Sequence, residues 1–149
     1  MANLNWIAIL GAALSGWLFS TLWQTALARQ PEAKRYGLPA LVLLVSLFTQ
    51  IIMALVLAGV LAHTAKSGVT MRAGTIVASI CWLGFVLTTL VATHARDKIR
   101  PLQTLAECGH WLGVLLVQGL ALGALLYSAD QVDERRNERR VGRRHRVIA

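Results

Sequence analysis

The chain has 149 residues, which is enough for one compact domain. Hydrophobic residues make up 56% of the chain and charged residues only 15%, whereas charged residues make up about 25% of a typical soluble domain. The apolar residues form four runs, each close to the roughly 20 residues that cross a bilayer. These runs are 6–28, 38–62, 73–94 and 102–127. A soluble bundle would show a polar face along every helix, and these runs do not.

We therefore predict an all-α integral membrane protein with four transmembrane helices within residues 1–129 and a basic tail over residues 130–149. Short connections join the runs, so consecutive helices should be antiparallel neighbours in an up-down-up-down bundle. Pro101 stands at the start of the fourth run, where the missing N–H of proline costs little.

Polar residues in the first two runs align at the 100° per residue of an α-helix. They are Ser20, Thr21 and Gln24 in the first run, and Ser46, Thr49 and Gln50 in the second. Each polar stripe is predicted to face the bundle interior, where it can form hydrogen bonds that lipid cannot supply. The alternative is that these groups only hold helices together. Gly11 with Ser15, and Ala12 with Gly16, are small residues spaced to allow close helix packing.

The fourth run contains Glu107, the only acidic residue in any of the four runs. His110 and Gln118 follow on the same helical stripe. At 1.5 Å per residue, Glu107 lies about 11 Å from the middle of the run, inside a hydrocarbon half-thickness of about 15 Å. An ionisable residue at such a depth indicates a functional site or a buried partner.

His94 and Gln24 end the third and first runs on the side of the membrane nearest Glu107. We predict that they join Glu107 and His110 in a polar intramembrane cluster that opens toward the first and third connections, with Gln118 deeper on the same stripe. The cations of the third connection are close enough in sequence to pair with the carboxylate. They are Arg96, Lys98 and Arg100.

A neighbouring Glu and His can relay protons, which makes a proton-linked or substrate-linked role one interpretation of this cluster. A structural ion pair is the other. Carboxylate-bridged metal sites need several Glu–His motifs on different helices, and this chain has one, so no metal site is predicted. The sequence has no phosphate-binding loop, nucleophile elbow or haem motif. We therefore predict no catalytic residues and no cofactor, and an enzyme is the least favoured class.

The net charge of +8 comes mostly from the tail. The arginines predicted to contact anionic lipid or a partner subunit are Arg135, Arg136, Arg139, Arg140, Arg143 and Arg144. Nucleic acid is not an expected partner, because the tail has no binding motif and no interleaved aromatic residues. A solvated tail that only orients the protein is the alternative.

Lys and Arg residues also predict the orientation. Six lie in the first and third connections, and nine lie in the second connection and the tail, which together account for all 15. The side with more basic residues normally stays in the cytoplasm, so both termini are predicted to be cytoplasmic in a bacterial inner membrane.

Several phrases share their order and spacing with a known family. They are Asn5-Trp6-Ile-Ala-Ile-Leu, Leu22-Trp23, Trp82-Leu-Gly-Phe-Val-Leu-Thr-Thr-Leu and Gly109-His-Trp-Leu-Gly-Val-Leu-Leu-Val-Gln-Gly. Over about residues 4–126 the chain resembles the small membrane proteins of the domain of unknown function 1761 family. The resemblance implies a four-helix membrane bundle, and it implies no activity.

Two functions are compatible with these features. The first is an accessory or structural subunit that packs within a larger membrane assembly, with other membrane subunits or further copies of this chain as partners. The second is a small proton-coupled carrier that uses Glu107 and His110 and works as a homodimer, an idea that rests on analogy with other compact four-helix exporters.

Overall fold

A computed structural model of the chain describes residues 5–27, 40–64 and 69–148. Within those ranges all the regular structure is helical and there is no strand, so the predicted all-α four-helix fold is confirmed. The first helix is Trp6–Leu27, the second Ala40–Thr64, the third Met71–Arg96 and the fourth Pro101–Ile148. The predicted connection at 29–37, and the predicted helix ends at residues 28 and 38, lie outside the described residues.

Each of the four helices is long and apolar enough to cross a membrane. The segments with this property are Trp6–Ala26, Leu43–Thr64, Met71–Arg96 and Pro101–Val132. Length and composition together are those of a multi-pass membrane protein. The fourth helix continues without a break to Ile148, so the predicted boundary between bundle and tail falls inside a single helix.

The fourth helix is the centre of the bundle. It packs extensively against both the first and the third helix, and the second helix packs mainly against the first. Contact between the second and third helices is slight. The resulting order of neighbours around the bundle is the one expected for up-down-up-down helices with short connections.

Small side chains dominate the core where the helices meet. The buried core residues are Ala8, Ile9, Ala12, Ala13, Ala54, Leu57, Ala58, Leu61, Val77, Ala78, Leu115 and Leu122. Six of these twelve are alanine, which lets helix backbones approach closely and gain van der Waals contact over a long seam.

The closest crossing lies between the third and fourth helices, at Gly74 and Gly119. A Cβ atom added to Gly74 would overlap the carbonyl oxygen of Gly119, and one added to Gly123 would lie 2.7 Å from the Cα of Met71. Gly119 and Gly123 are four residues apart, the small-residue spacing of close membrane helix pairs. From the sequence, this spacing is predicted on the first helix, at Gly11 and Ser15 and at Ala12 and Gly16, and not on the fourth.

Two local features shape the third helix. Trp82–Leu87 form a wider π-helical turn in its middle. At its end, Ile99 N–H donates to the carbonyl of His94 at 3.0 Å, and Lys98 has a φ of 54°. This bond and this backbone conformation are those of a Schellman cap. The fourth helix then begins at Pro101, as predicted.

Candidate functional site

His94 lies in the last turn of the third helix and is buried. Its Nδ1 atom is 3.0 Å from Thr104 Oγ1 and its Nε2 atom is 3.4 Å from Glu107 Oε2. The imidazole therefore sits between two side chains of the fourth helix. The Glu107 side chain is 54% exposed, so the carboxylate lies at the rim of the bundle with its partner histidine inside.

Thr104 was missed by the sequence analysis, although its position carried a signal. It precedes Glu107 by three residues, so the two side chains lie on the same face of the helix. Within the described part of the chain, the side chain in contact with the Glu107 carboxylate is that of His94 and not one of the connection cations. Arg96 pairs instead with Asp97, its neighbour in sequence, at 3.4 Å, and both of these side chains are largely exposed.

His110 turns toward the first helix. Its Nε2 atom is 3.0 Å from Ser20 Oγ, and Ser20 is buried. The imidazole also stacks on the ring of Trp23, with a centroid separation of 6.0 Å and an interplanar angle of 23°. The structure thus divides the predicted cluster into two contacts, one on each side of the fourth helix. Gln24 is exposed and belongs to neither.

Gln118 lies deeper, about two turns beyond His110, and is fully buried. Its Nε2 atom donates to Gln50 Oε1 at 2.7 Å and to the Gln50 carbonyl at 3.3 Å. Gly16 makes room for this amide, since a Cβ there would lie 2.7 Å from Gln118 Nε2. Gln50 was placed on a polar stripe by the sequence, but its pairing with Gln118 was not predicted.

On the first helix, Ser20 contacts His110 and Gly16 faces Gln118. Trp17 lies between these two positions. Within the described residues, Trp17 Nε1 and Gln118 Oε1 are buried polar atoms that have no hydrogen-bond partner. Buried polar groups are normally paired. These two atoms are therefore a free donor and a free acceptor near the middle of the bundle.

Among the described residues, the His94, His110 and Gln118 contacts all lie in one half of the bundle. Beyond Gln50 and Gln118, the interior is filled by Ile9, Leu61 and Leu122, all nearly or fully buried. The arrangement provides polar groups from the His94 end to mid-depth and an apolar core from there to the other end.

A cavity of about 600 Å³ opens beside His94, between the third and fourth helices. Its lining residues are Trp82, Leu87, Val91, His94, Ala95, Ile99, Pro101, Thr104, Leu105, Cys108, Gly109 and Leu112. The wall is mainly apolar, with His94 and Thr104 as its polar side chains at one end. Trp82 Nε1 donates to the Cys108 carbonyl at 3.0 Å and ties the two helices together along the wall.

The donor groups do not converge as metal ligands do. Among the described residues, no three His, Cys, Asp or Glu side chains could hold one ion. His94 and Glu107 offer two ligands, and the His110 ring is directed toward Ser20 on the first helix. A structural metal site usually needs four protein ligands and a catalytic one three.

Residues 7–123 match the family described as protein of unknown function (DUF1761). The chain belongs to this family. The matched segment contains every residue of the His94, His110 and Gln118 contacts and ends before the arginine-rich part of the fourth helix. No curated protein and no solved structure matches the chain. The family description carries no activity, so any function must be argued from geometry.

The arginine-rich part of the fourth helix extends away from these contacts. Arg135 and Arg139 are exposed, in positions open to a lipid or protein surface. The side chains of Arg136, Arg140, Arg143 and Arg144, which share the predicted contact, lie outside the described side chains.

Proposed function

We propose that this protein is a small accessory subunit of a bacterial inner-membrane assembly and that it packs its third helix against other membrane subunits. The supporting observation is the low burial of that helix. In an apolar stretch of 18 residues of that helix only 11% of the residues are buried within the chain, against 33% in the corresponding stretches of the first and fourth helices. One face of this helix packs closely on the fourth helix, and its remaining faces are free for a neighbour.

The outward face of the third helix also carries small residues. Gly84 and Thr88 are exposed and four residues apart, and a Cβ at Gly84 would meet nothing within 4 Å. Large apolar side chains, including Ile80 and Phe85, flank them and are 65% and 74% exposed. Lipid solvates large apolar groups without assistance, whereas the small-residue spacing favours close approach by another helix.

Substitution of Gly84 by Leu tests this proposal. We expect the wild-type chain, extracted in a mild detergent, to migrate with partner subunits, and Gly84→Leu to release it, because the new side chain blocks close helix contact. Gly59→Leu in the second helix is the matched control, since a Cβ there also meets nothing within 4 Å. Migration of the wild-type chain as a 16.2 kDa monomer would contradict the proposal. A multiple of that mass would identify further copies as the partner.

A small proton-coupled carrier is the second candidate, and the polar contacts from His94 to Gln118 favour it. Glu107 and His110 would bind and release protons at the exposed end. Gln118 would then be the deepest polar group that a substrate reaches. Because the far half of the bundle is apolar, transport would also require that half to open.

Proton flux into liposomes that contain the purified protein tests this second function. A carrier should show flux that Glu107→Gln and His110→Asn each abolish, because both changes remove a group that can carry charge. Thr49→Val on the exposed side of the second helix is a control that should leave flux unchanged. Wild-type liposomes no more permeable to protons than empty ones would exclude the carrier.

Both termini are proposed to lie in the cytoplasm, with the arginine-rich end of the fourth helix near anionic headgroups or an acidic partner surface. The support is the excess of Lys and Arg on that side and the exposure of Arg135 and Arg139. Each basic side chain near an anionic membrane surface contributes about 1 kcal/mol of attraction.

A further inference from the structure

The geometry points to a binding site for a neutral amphiphile in the cavity between the third and fourth helices. The ligand class is an apolar chain that carries a hydroxyl head group, as long-chain alcohols do. This site is independent of the partner surface around Gly84 and of proton transfer at His110.

The cavity has the size and wall chemistry of a small-molecule site. Its volume of about 600 Å³ falls within the roughly 300–1,000 Å³ of typical ligand pockets. Such pockets combine an apolar wall with a few convergent polar groups. Here Val91, Leu105 and Leu112 form part of the apolar wall, and His94 and Thr104 are the polar groups.

The polar end selects for a neutral head group. With the Nε2–H of His94 directed at Glu107, the Nδ1 atom accepts from the Thr104 hydroxyl at 3.0 Å, and the Thr104 oxygen keeps a lone pair that can accept a hydrogen bond from a ligand hydroxyl. Glu107 Oε2 lies 3.4 Å from the same imidazole. A carboxylate so near repels the phosphate of a phospholipid or the carboxylate of a fatty acid, and unfavourable contacts of this kind create specificity. A hydroxyl group meets no such repulsion and supplies the donor that the Thr104 oxygen can accept.

A π-helical turn, a side-chain hydrogen bond and a glycine shape the wall of the cavity. The π-helical turn Trp82–Leu87 contributes both of its end residues to the lining, and π-turns inside α-helices are frequent at functional sites. The Trp82 hydrogen bond to the Cys108 carbonyl fixes the ring against the fourth helix. On the opposite wall, a Cβ added to Gly109 would meet nothing within 4 Å, so this glycine leaves the cavity open.

Photoreactive lipids of equal chain length test the site in the full-length chain in detergent micelles. Three probes carry the same diazirine in a twelve-carbon chain and differ in ending as an alcohol, a carboxylate or a plain methyl group. We expect the alcohol to label peptides of the cavity wall roughly tenfold more than either other probe, a ratio that one good hydrogen bond can produce. Labelling is normalised to the exposed second helix, which reports general contact with the micelle.

Two substitutions test the cavity and the head-group preference separately. The Cβ of Gly109→Leu would meet nothing within 4 Å, and the new side chain should fill the cavity and abolish the excess labelling by the alcohol, while Gly59→Leu in the second helix should retain it. Glu107→Gln removes the repelling charge and should raise carboxylate labelling to the level of the alcohol. Equal labelling of Gly109→Leu and wild type would overturn the site. Equal labelling by the methyl-ended and alcohol probes in the wild type would show a groove for lipid chains only and would also overturn it.

Discussion

Gln118 and Gln50 form a hydrogen bond in a part of the bundle where lipid and apolar side chains offer no other hydrogen-bond partner. Both side chains are almost completely buried, and the amide nitrogen of Gln118 lies 2.7 Å from Gln50 Oε1. In hydrocarbon, either amide alone would lack a partner, so the pair specifies which faces of the second and fourth helices meet. Gly16 of the first helix completes the arrangement by leaving space for the Gln118 amide.

Replacement of Gln118 by Leu should destabilise the bundle by about 1 kcal/mol, because interhelical hydrogen bonds in membrane proteins average about 0.6 and reach about 1.7 kcal/mol. Gln50 would then be left buried and unpaired. Thermal unfolding in detergent, followed by loss of helical circular dichroism, measures the change. A Gln118→Leu chain as stable as the wild type would show that the contact contributes nothing.

The double substitution Gln50→Leu, Gln118→Leu provides the control for this pair. It removes both amides and leaves neither unpaired, so its loss of stability should be smaller than the sum of the two single losses. Strict additivity would mean that the two side chains act independently, in conflict with a direct hydrogen bond.

Lys98 has a backbone conformation that suits glycine better than lysine. Its φ of 54° lies in the left-handed region, at the C′ position of the cap that ends the third helix. A side chain in this conformation costs about 1 kcal/mol, which glycine avoids. Lys98→Gly should therefore raise the unfolding temperature, whereas Lys98→Val should lower it because branching at Cβ worsens the clash. The reverse order in a thermal melt would contradict the cap.

The third and fourth helices approach each other more closely than any side chain would allow. A Cβ at Gly119 would lie 2.5 Å from the carbonyl oxygen of Gly74 and 2.9 Å from the Cβ of Ala78. Backbone atoms cannot rotate away as the end of a flexible side chain can. The whole crossing must therefore widen if either glycine acquires a side chain, and the packing on both sides of it weakens.

Gly119→Ala should accordingly destabilise the bundle by about 1–3 kcal/mol, the usual range for forcing extra atoms into a packed interior. Gly59→Ala is the matched control, since its added methyl group meets no atom within 4 Å and should change stability by less than about 0.5 kcal/mol. Chemical unfolding in detergent compares the two. Similar behaviour of both variants would mean that the crossing is looser than the structure shows.

The four helices could be predicted because each apolar run is long enough to span a bilayer, and Pro101 marked the start of the last one. The helix crossing could not be predicted in the same way. Small residues with the same spacing occur at Gly11 and at Gly119, and spacing alone does not say which partner either will meet. The π-helical turn Trp82–Leu87 also has no compositional signal in the sequence.

For the candidate site, the depth of each residue could be predicted from the sequence, but the direction of each side chain could not. The depths of His94 and Glu107 along their helices predicted that they lie near each other, and the two are in contact. Depth also placed His110 beside them, but residues three apart on a helix point about 60° away from each other. That difference is enough for Glu107 to face the third helix while His110 faces Ser20 on the first. The cavity beside His94 depends on helix separation, which a sequence pattern does not encode.

Charge is distributed unevenly over the whole molecule. The fourth helix has 48 residues, or about 72 Å at 1.5 Å per residue, which is far more than the roughly 30 Å of a hydrocarbon core. Its arginine-rich end therefore extends past the apolar part of the bundle. The second connection and the tail together have nine basic residues, and seven of these belong to this arginine-rich end. The first and third connections have six.

Replacement of the seven arginines of the tail (the six named above and Arg146) by Gln should reverse or mix the orientation of the protein, because it leaves two basic residues on the terminal side against six on the other. Cysteine accessibility at each terminus in intact cells measures the fraction in each orientation. Neutralising Arg96, Lys98 and Arg100 is the opposite change, leaving three against nine, and should make cytoplasmic termini more uniform. If the termini stay cytoplasmic in both variants, packing against partners and not charge determines the orientation, which would itself strengthen the proposed role as an accessory subunit.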